Sequence, residues 1–130
     1  MSILAGSFYH IRSFHITETG ELQQEFLALT ELDPGHPIFL GHFPGNPVVP
    51  GVCQVQMVKE LLEKGMNQSL KLTESDNIKF LSLINPNTTP RLEFRMTVKH
   101  LADRQISAAA TIVSGDTVYL KFKGKFEFEK

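Results

Sequence analysis

A stretch dense in proline and glycine, residues 33–51, limits most strongly what this chain can fold into. Nine of its nineteen residues are proline or glycine. Proline fixes φ and lacks the backbone N–H, so that much proline and glycine leaves no room for a long helix or strand. Six apolar residues interrupt the stretch: Ile38, Phe39, Leu40, Phe43, Val48 and Val49. The pattern predicts a long loop packed onto the body of the protein, and ordered loops of this kind commonly carry function.

The loop runs directly into an apolar segment with a helical period. This segment predicts a helix from about Val52 to Lys64, with Gly65 as its C-cap glycine. One side of the helix is apolar: Cys53, Val55, Met57, Val58, Leu61 and Leu62. The other side is polar: Gln56, Lys59, Glu60 and Glu63. Because the first turns carry few charges, we expect the N-terminal half of the helix to be buried.

The remaining segments alternate in the manner of β-strands. Ser7–Thr17 and Glu21–Leu29 flank a turn and predict a β-hairpin, although the second segment also fits one or two helical turns. Four further strands are predicted: Ile78–Ile84, Arg91–His100, Gln105–Val113 and Thr117–Glu129. One long helix and about six mostly antiparallel strands indicate an α+β fold with the helix on one face of the sheet. The length of 130 residues indicates one domain, residues 1–130.

Charge and composition exclude several classes of protein. Thirteen basic residues against fourteen acidic ones give a net charge of −1, so the sequence lacks the excess of positive charge that is typical of nucleic-acid-binding proteins. No apolar run approaches the roughly 18 residues of a membrane span, and Met1–Ser7 is too short for a signal peptide. The one cysteine, Cys53, excludes an intrachain disulfide and a multi-cysteine zinc site, and it fits a reducing compartment. We therefore expect a cytosolic protein with no membrane or nucleic-acid partner.

The residues suited to chemistry concentrate where the loop meets the predicted helix. His42 lies in the loop, and a histidine with an ordinary pKa of about 6.5 accepts a proton at neutral pH. The free N–H groups at the helix start, near Gly51 and Val52, can polarise a carbonyl group. A base beside such donors suits removal of a proton next to a carbonyl. The plainer interpretation, a loop histidine bonded to a backbone carbonyl, stays open on these local features.

The segment HFPGNPVVPGV resembles the signature of the β-hydroxyacyl-acyl carrier protein dehydratases, which have the hot-dog fold. That signature reads roughly His-Phe-Pro-Gly-x-Pro-x-x-Pro-Gly-Val, and eleven consecutive positions fit it here. HPIFLGHF upstream and DNIKFLSLINP downstream are also similar to segments of that family. The resemblance extends over nearly the whole chain, and it implies one long central helix wrapped by an antiparallel sheet of about six strands.

The same resemblance implies an activity. In that family two protomers join edge to edge, and each active site combines a histidine from one protomer with an acidic residue from the other. Carried over, His42 removes the α-proton of a 3-hydroxyacyl thioester on acyl carrier protein, and the Gly51 N–H polarises the thioester carbonyl. Phe43, Gly51 and Val52 are the expected substrate-binding residues. The products are a trans-2-enoyl thioester and water, and the reaction needs no metal and no cofactor. A homodimer is expected, with a heterodimer with a related dehydratase as the alternative.

One departure matters, because the acidic position of the family falls on Gln56, which has no proton to give. Losing a general acid costs about 10² to 10⁴ in rate. In one explanation His42 shuttles the proton and Gln56 orients the hydroxyl group. In a second, Glu60, one turn further along, reaches the site through a water, although a surface ion pair between Glu60 and Lys64 is the preferred interpretation of that residue. In a third, the chain pairs with a complete dehydratase whose carboxylate replaces the missing one.

Other candidate residues carry weaker signals. The sequence offers Cys53 and His42 as a nucleophilic pair, but a buried core cysteine is the preferred interpretation. The other histidines show no metal-ligand spacing: His10, His15, His36 and His100. His36 flanks the loop and is a candidate to support it, although solvent exposure is the plainer interpretation of both His36 and His100. A basic row on the last strand, joined by Arg91 and Arg95, suits docking of an acidic carrier protein, although a solvated strand face is preferred: Lys121, Lys123 and Lys125.

Two functions from different classes follow. The first is a dehydratase that acts on a 3-hydroxyacyl thioester in fatty-acid-type biosynthesis. The alternative is a catalytically weak or non-catalytic subunit that binds acyl thioesters or pairs with a complete dehydratase. A hot-dog thioesterase is a more distant third, since it does not need the histidine loop.

Overall fold

Six strands and two helices make up a computed structural model of the chain, which describes residues 3–41 and 45–129. The strands are β1 (Tyr9–Thr19), β2 (Gln23–Leu32), β3 (Leu70–Phe80), β4 (Arg91–His100), β5 (Gln105–Ser114) and β6 (Thr117–Phe128). The helices are α1 (Ile38–Gly41) and α2 (Gly51–Met66). The predicted α+β class with six strands and one long helix is confirmed. Within the described ranges no helix is long and apolar enough to cross a membrane.

All six strands form one antiparallel sheet in the order β1-β2-β4-β5-β6-β3. Successive side chains of a strand point to opposite faces of the sheet, so each strand has an inner and an outer face, as β4 shows most clearly. Four alternate side chains of β4 are buried: Leu92, Phe94, Met96 and Val98. β1 and β3 are the edge strands. Tyr9, at the start of β1, bonds to the backbone of residues 4–6, and the N–H of Leu70, at the start of β3, donates to the Glu63 carboxylate. Along the rest of each edge strand, the outer backbone groups are open to pairing within the part of the chain that is described.

The inner face of the sheet packs around α2. The helix contributes buried side chains to the same hydrophobic core as the sheet: Cys53, Met57, Val58, Leu61 and Leu62. The sheet contributes several large aromatic rings to that core, among them Phe26, Phe94 and Phe126. This arrangement matches the central helix and surrounding sheet that the sequence led us to expect.

The end of α2 corrects one prediction. Gly65 is not the C-cap: the helix continues to Met66, and Asn67 takes the left-handed cap conformation with φ 54°. The Asn67 N–H donates to the Glu63 carbonyl oxygen. The reason for glycine at 65 is packing, because a Cβ there would lie 2.7 Å from Cε2 of the buried Phe26 ring.

The strand predictions differ in quality. The hairpin of β1 and β2 is confirmed, so the helical alternative for Glu21–Leu29 is wrong. The bounds predicted for the third strand, Ile78–Ile84, are also wrong, because β3 begins at Leu70 and ends at Phe80. β3 is an edge strand with mostly exposed residues on both faces, so its first half lacks the alternation that marks a half-buried strand.

Candidate active site

The long loop is fixed to the body on both sides of residues 42–44. Before them, the buried Phe39 of α1 stacks on Phe8, with ring centroids 5.2 Å apart. After them, the buried Val49 donates its N–H to the Ile84 carbonyl oxygen at 2.9 Å. These contacts agree with the prediction of a loop packed onto the body, although one helical turn, α1, lies where no regular structure was expected.

His36 supports this loop. Its ring meets Phe8 edge-on at 5.3 Å between centroids, and its Nδ1 accepts the Ile38 N–H at 3.1 Å. The ring is half-buried, so the expectation of simple solvent exposure is wrong for His36. It holds the start of α1, the helix that leads to position 42.

His42 and Phe43 lie outside the described residues. The role of His42 as the base and of Phe43 as a substrate-binding residue therefore stay predictions. What the structure gives is the position of their neighbours, since α1 ends at Gly41 and the chain rejoins the body through Val49.

The start of α2 offers backbone donors. The N–H groups of Cys53 and Gln54 donate to the Pro50 carbonyl oxygen at 3.0 and 3.1 Å. In the described part of the chain, the N–H groups of Gly51 and Val52 meet no acceptor. Both are therefore open to a ligand at the positive end of a 16-residue helix.

An aromatic ring covers the helix start from the side. A Cβ on Gly51 would lie 2.7 Å from Cζ of Phe80, the last residue of β3. Only glycine at 51 lets this ring approach the backbone so closely. Phe80 itself is 52% exposed and Val52 77% exposed, so two apolar side chains flank the open N–H groups. No local pattern in the sequence indicates that Phe80 meets Gly51.

Gln54 is a second residue that sequence reasoning missed. Its side chain is buried, and its Nε2 donates to the Val49 carbonyl oxygen at 3.2 Å. Its Oε1 has no hydrogen-bond partner within the described residues. Gln54 thereby ties the end of the loop to the first turn of α2. The one sign of this role in the sequence was that Gln54 is a polar residue among the apolar residues of the first helical turns.

Gln56 and Glu60 form a pair on α2. Gln56 is half-buried, and its Nε2 donates to Glu60 Oε2 at 2.9 Å. The predicted surface ion pair of Glu60 with Lys64 is wrong, because the Glu60 side chain is only 3% exposed. Lys64 instead lies over the Phe14 ring, 5.8 Å from its centroid.

Glu60 is buried because four further donors converge on its carboxylate. Oε2 also accepts the N–H groups of Ile3 and Leu4, both at 3.0 Å. Oε1 accepts the Ala5 N–H at 2.9 Å and the Tyr9 hydroxyl at 3.1 Å. A helical pattern places residue 60 on the polar side of α2, so only the folded position of the Ile3–Ala5 segment explains its burial.

These contacts set the charge of Glu60. Burial alone raises the pKa of the carboxyl group, but the hydrogen bonds from Gln56 and from the backbone of Ile3, Leu4 and Ala5 outweigh it and lower the pKa below its ordinary value. Burial and the adjacent Glu60 raise the pKa of Tyr9, which therefore stays a proton donor. An ionised Glu60 has no proton to give, which argues against the hypothesis that it replaces the missing acid.

The remaining candidates take structural places. Cys53 is buried, and burial raises the pKa of its thiol, so the preferred interpretation as a core cysteine holds. His10 and His15 are exposed on β1. His100 is half-buried and lies 3.4 Å from Gln24 Oε1, so full exposure is wrong for it. The described residues contain no group of three or more metal-ligating side chains.

The basic row of β6 divides into two parts. Lys125 pairs with Glu74 of β3, with 3.1 Å between Nζ and Oε2. Lys121 and Lys123 instead line a cavity of about 600 Å³ on the outer face of the sheet, together with Lys79 and Arg95. Arg95 also pairs with Glu93 on the same strand.

The chain belongs to a family of dehydratases. Residues 18–117, more than half of the chain, match the family model described as ApeI-like, ApeI dehydratase. A curated relative, the 3-hydroxyacyl-[acyl-carrier-protein] dehydratase FabZ of Alkaliphilus metalliredigens, is 31% identical over 84 residues, which are 59% of this chain and 57% of the relative. The chain spans about three fifths of the length of the curated relatives it matches. The resemblance stated from the sequence is thus confirmed.

Solved structures define the fold. The dehydratase heterocomplex ApeI:P of Xenorhabdus doucetiae aligns with a TM-score of 0.64 and 18% identity, covering 91% of this chain and 96% of that one. A putative thioesterase of Lactococcus lactis aligns with a TM-score of 0.65 and 13% identity, covering 91% of each chain. The hot-dog fold is confirmed. Because both dehydratases and thioesterases share it, the fold alone does not select the reaction.

Proposed function

We propose that this chain is a subunit of a 3-hydroxyacyl-acyl carrier protein dehydratase, and that a different subunit supplies its general acid. The observation that carries the proposal is the pair on α2: Gln56 stands at the acidic position and donates to an ionised Glu60. Neither side chain has a proton for a leaving hydroxyl group. Membership of the dehydratase family and the substrate class in the relatives' names support the reaction.

The reaction is a β-elimination. His42 takes the proton from C2 of the 3-hydroxyacyl thioester, and the Gly51 N–H stabilises the negative charge that develops on the thioester oxygen. The C3–O bond breaks, and the partner's carboxylic acid gives its proton to the departing hydroxyl group. A trans-2-enoyl thioester and water leave, and the histidine and the carboxylate exchange the remaining proton through solvent.

Pairing decides how many sites are complete. In the family arrangement, a site joins the histidine of one protomer with the acid of the other. A homodimer of this chain therefore has two sites with Gln56 and no acid. A heterodimer with a complete dehydratase has one site that joins His42 with the partner's acid. That the fold neighbour from Xenorhabdus doucetiae is a dehydratase heterocomplex supports the second arrangement.

An exposed apolar surface near the helix start suits such a partner. It comprises Val52, Phe80, Leu81 and Leu83, which are 49–77% exposed. Phe80 ends the edge strand β3, whose outer backbone groups are open to pairing within the described part of the chain. Apolar side chains beside an open strand edge are a common basis for association between subunits.

The carrier protein is proposed to dock on the basic residues beside the same end of β3. Lys79 precedes Phe80, which contacts Gly51, and Lys79 is paired in register with Lys121. The two lysines thus bring positive charge close to the helix start. Reversing Lys121 and Lys123 to Glu is expected to weaken binding of acyl carrier protein and to flatten its salt dependence. The matched control is Lys125→Glu, because Lys125 already pairs with Glu74. If Lys125→Glu weakens carrier-protein binding as much as the change at Lys121 and Lys123 does, the docking site is contradicted.

The proposed function is tested by assay of the purified chain with 3-hydroxyacyl and crotonyl thioesters of acyl carrier protein, following the enoyl absorbance. The chain is assayed alone and mixed with a complete dehydratase of the same organism whose own catalytic histidine is replaced by Ala. Only a site that joins His42 with the partner's acid works in that mixture. We expect the mixture to be about 10² to 10⁴ times faster than the chain alone.

Two variants sharpen this assay. His42→Ala is expected to abolish the activity of the mixture, whereas His15→Ala, an exposed histidine on β1, leaves it unchanged. Full activity of the chain alone that depends on His42 would identify a homodimer in which the histidine serves both steps. Inactivity under all conditions, with binding of acyl thioesters retained, would identify a non-catalytic subunit.

A further inference from the structure

The Gln56 amide group has a defined orientation because of what it meets. Glu60 already accepts four hydrogen bonds, from the backbone of Ile3–Ala5 and from Tyr9. An ionised carboxylate only accepts hydrogen bonds, so it is the NH2 group of Gln56 that faces it, at 2.9 Å. The reverse orientation would set the amide oxygen against a carboxylate oxygen, with two acceptors and no proton between them.

The amide oxygen of Gln56 therefore lies at the other end of a planar group. Within the described residues it accepts no hydrogen bond. Gln56 lines a groove of about 260 Å³ between α2 and the sheet. Other residues of this groove include Val52, Val55, Lys59, Leu70, Lys71 and Phe126. Val52 belongs to the open start of α2, so the groove is continuous with the candidate active site.

We propose that Glu60 is a positioning residue that fixes Gln56 with its amide oxygen available to the site, so that position 56 offers a hydrogen-bond acceptor in place of the proton donor typical of the family. This inference rests on the proposed dehydratase function and deepens it. The 3-hydroxyl group of the substrate donates to Gln56 Oε1 and is held in place, but it receives no proton there. Gln56 thus orients a substrate in the site whose histidine belongs to the partner.

The pair has a chemical consequence for restoring the acid. In Gln56→Glu, two carboxyl groups lie within hydrogen-bonding distance of each other. Glu60 stays ionised because four other donors hold it, so the new carboxyl group is protonated and donates to Glu60 rather than to substrate. In the exchange variant, Gln56→Glu with Glu60→Gln, the hydrogen bond between the two positions is kept, but the amide at 60 now donates to the carboxylate at 56. The carboxyl group at 56 is then free to act on a hydroxyl group.

The test compares the wild type, Gln56→Glu and the exchange variant. The first measurement needs no activity: titration of the carboxyl group at position 56 by ¹³C NMR. In Gln56→Glu we expect it to titrate above about pH 6, and in the exchange variant near the ordinary value of about 4.3. The matched control combines Gln56→Glu with Glu63→Gln, which removes the carboxylate three residues after Glu60 and leaves Glu60 in place. In this control the carboxyl group at 56 is still expected to titrate above about pH 6.

The second measurement is the hydration of crotonyl-acyl carrier protein by each homodimer, as a function of pH. We expect kcat of the exchange variant to be at least about tenfold higher than kcat of Gln56→Glu, with little change in KM. We also expect kcat of the exchange variant to fall at acidic pH, because the carboxyl group at 56 becomes protonated there. Circular dichroism monitors folding, because the neutral amide that Glu60→Gln introduces no longer accepts all the N–H groups of Ile3–Ala5.

The outcomes separate this inference from the proposed function. A carboxyl group at 56 that titrates near its ordinary value in the single variant Gln56→Glu overturns the positioning role, whatever the activity. If the titrations are as expected but every variant is inactive, even with a partner subunit, the hydrogen bond between positions 56 and 60 stands and the dehydratase function is overturned. Equal activity of the single and exchange variants, both folded, overturns the positioning role.

Discussion

The ring of Phe80 lies against the backbone of Gly51, where a Cβ would come within 2.7 Å of Cζ. The last residue of the edge strand β3 therefore meets the first residue of α2. One contact joins the strand that carries the exposed apolar surface to the helix start that is proposed to hold the thioester oxygen. A change at either residue is expected to reach the other.

Gly51→Ala tests this contact. Alanine suits a helix, and Phe80 is half-exposed and free to move, so we expect the free energy of unfolding to change by less than about 1 kcal/mol. The displaced ring should disturb the substrate position and lower kcat/KM by about 10- to 100-fold. The measurement is the crotonyl hydration assay of the active assembly. Adding Phe80→Leu makes room for the methyl group, and failure of this pair to recover activity would contradict the steric explanation.

Gly65→Ala is expected to act in the opposite way. The new Cβ would meet three atoms of the Phe26 ring within 2.9 Å, and that ring is buried in the core, where a shift disturbs its packing. We expect a loss of about 1–3 kcal/mol in the free energy of unfolding, measured with urea. A neutral or stabilising effect would show that the core around Phe26 yields to the methyl group.

Tyr9→Phe removes one of the five donors to Glu60. The Tyr9 side chain is fully buried and its hydroxyl group lies 3.1 Å from Glu60 Oε1. Because the acceptor is charged, the loss is expected to be about 1.5–3 kcal/mol in the free energy of unfolding. Tyr119→Phe on β6 is the control, since the Tyr119 hydroxyl makes no hydrogen bond to the described residues, and it should change stability by less than about 0.5 kcal/mol.

Acid should destabilise the protein through Glu60. Its pKa is lowered in the folded state, so below the ordinary carboxyl value of about 4.3 the unfolded chain binds the proton first. The contribution of Glu60 is therefore complete above that pH and is lost as the pH falls through the lowered value. Urea unfolding from about pH 7 to about pH 3 measures this slope. Glu60→Gln is expected to flatten it, while Glu21→Gln, at an exposed turn, should leave it unchanged.

The sequence predicted most where one periodic pattern governed a whole element. β4 was predicted with its observed bounds, Arg91–His100, because its side chains alternate between the core and solvent. The edge strand β3 was misplaced because polar residues occupy both of its faces. The prediction of a cap at position 65 was wrong because glycine serves both helix ends and close packing, and only the folded position of Phe26 distinguishes them.

The candidate site divides in the same way. The spacing of proline and glycine up to residue 51 predicted a packed loop that leads into α2, since that spacing is a local pattern. The roles of His42 and Phe43 stay predictions. Glu60 was assigned to the surface because its partners, Ile3–Ala5 and Tyr9, lie more than fifty residues away in the chain. Long-range donors of this kind leave no periodic trace in a single sequence.

The hydrogen bond between Gln56 and Glu60 also bears on how such a chain evolves. Regaining an acid at 56 by a single substitution sets two carboxyl groups against each other. Changing Glu60 to Gln first leaves too few acceptor atoms for the N–H groups of Ile3–Ala5. The effect of a substitution at 56 is therefore expected to depend on which residue stands at 60. If the chain depends on a second subunit as proposed, a lineage that carries this pair would need substitutions at both positions before it could supply its own acid.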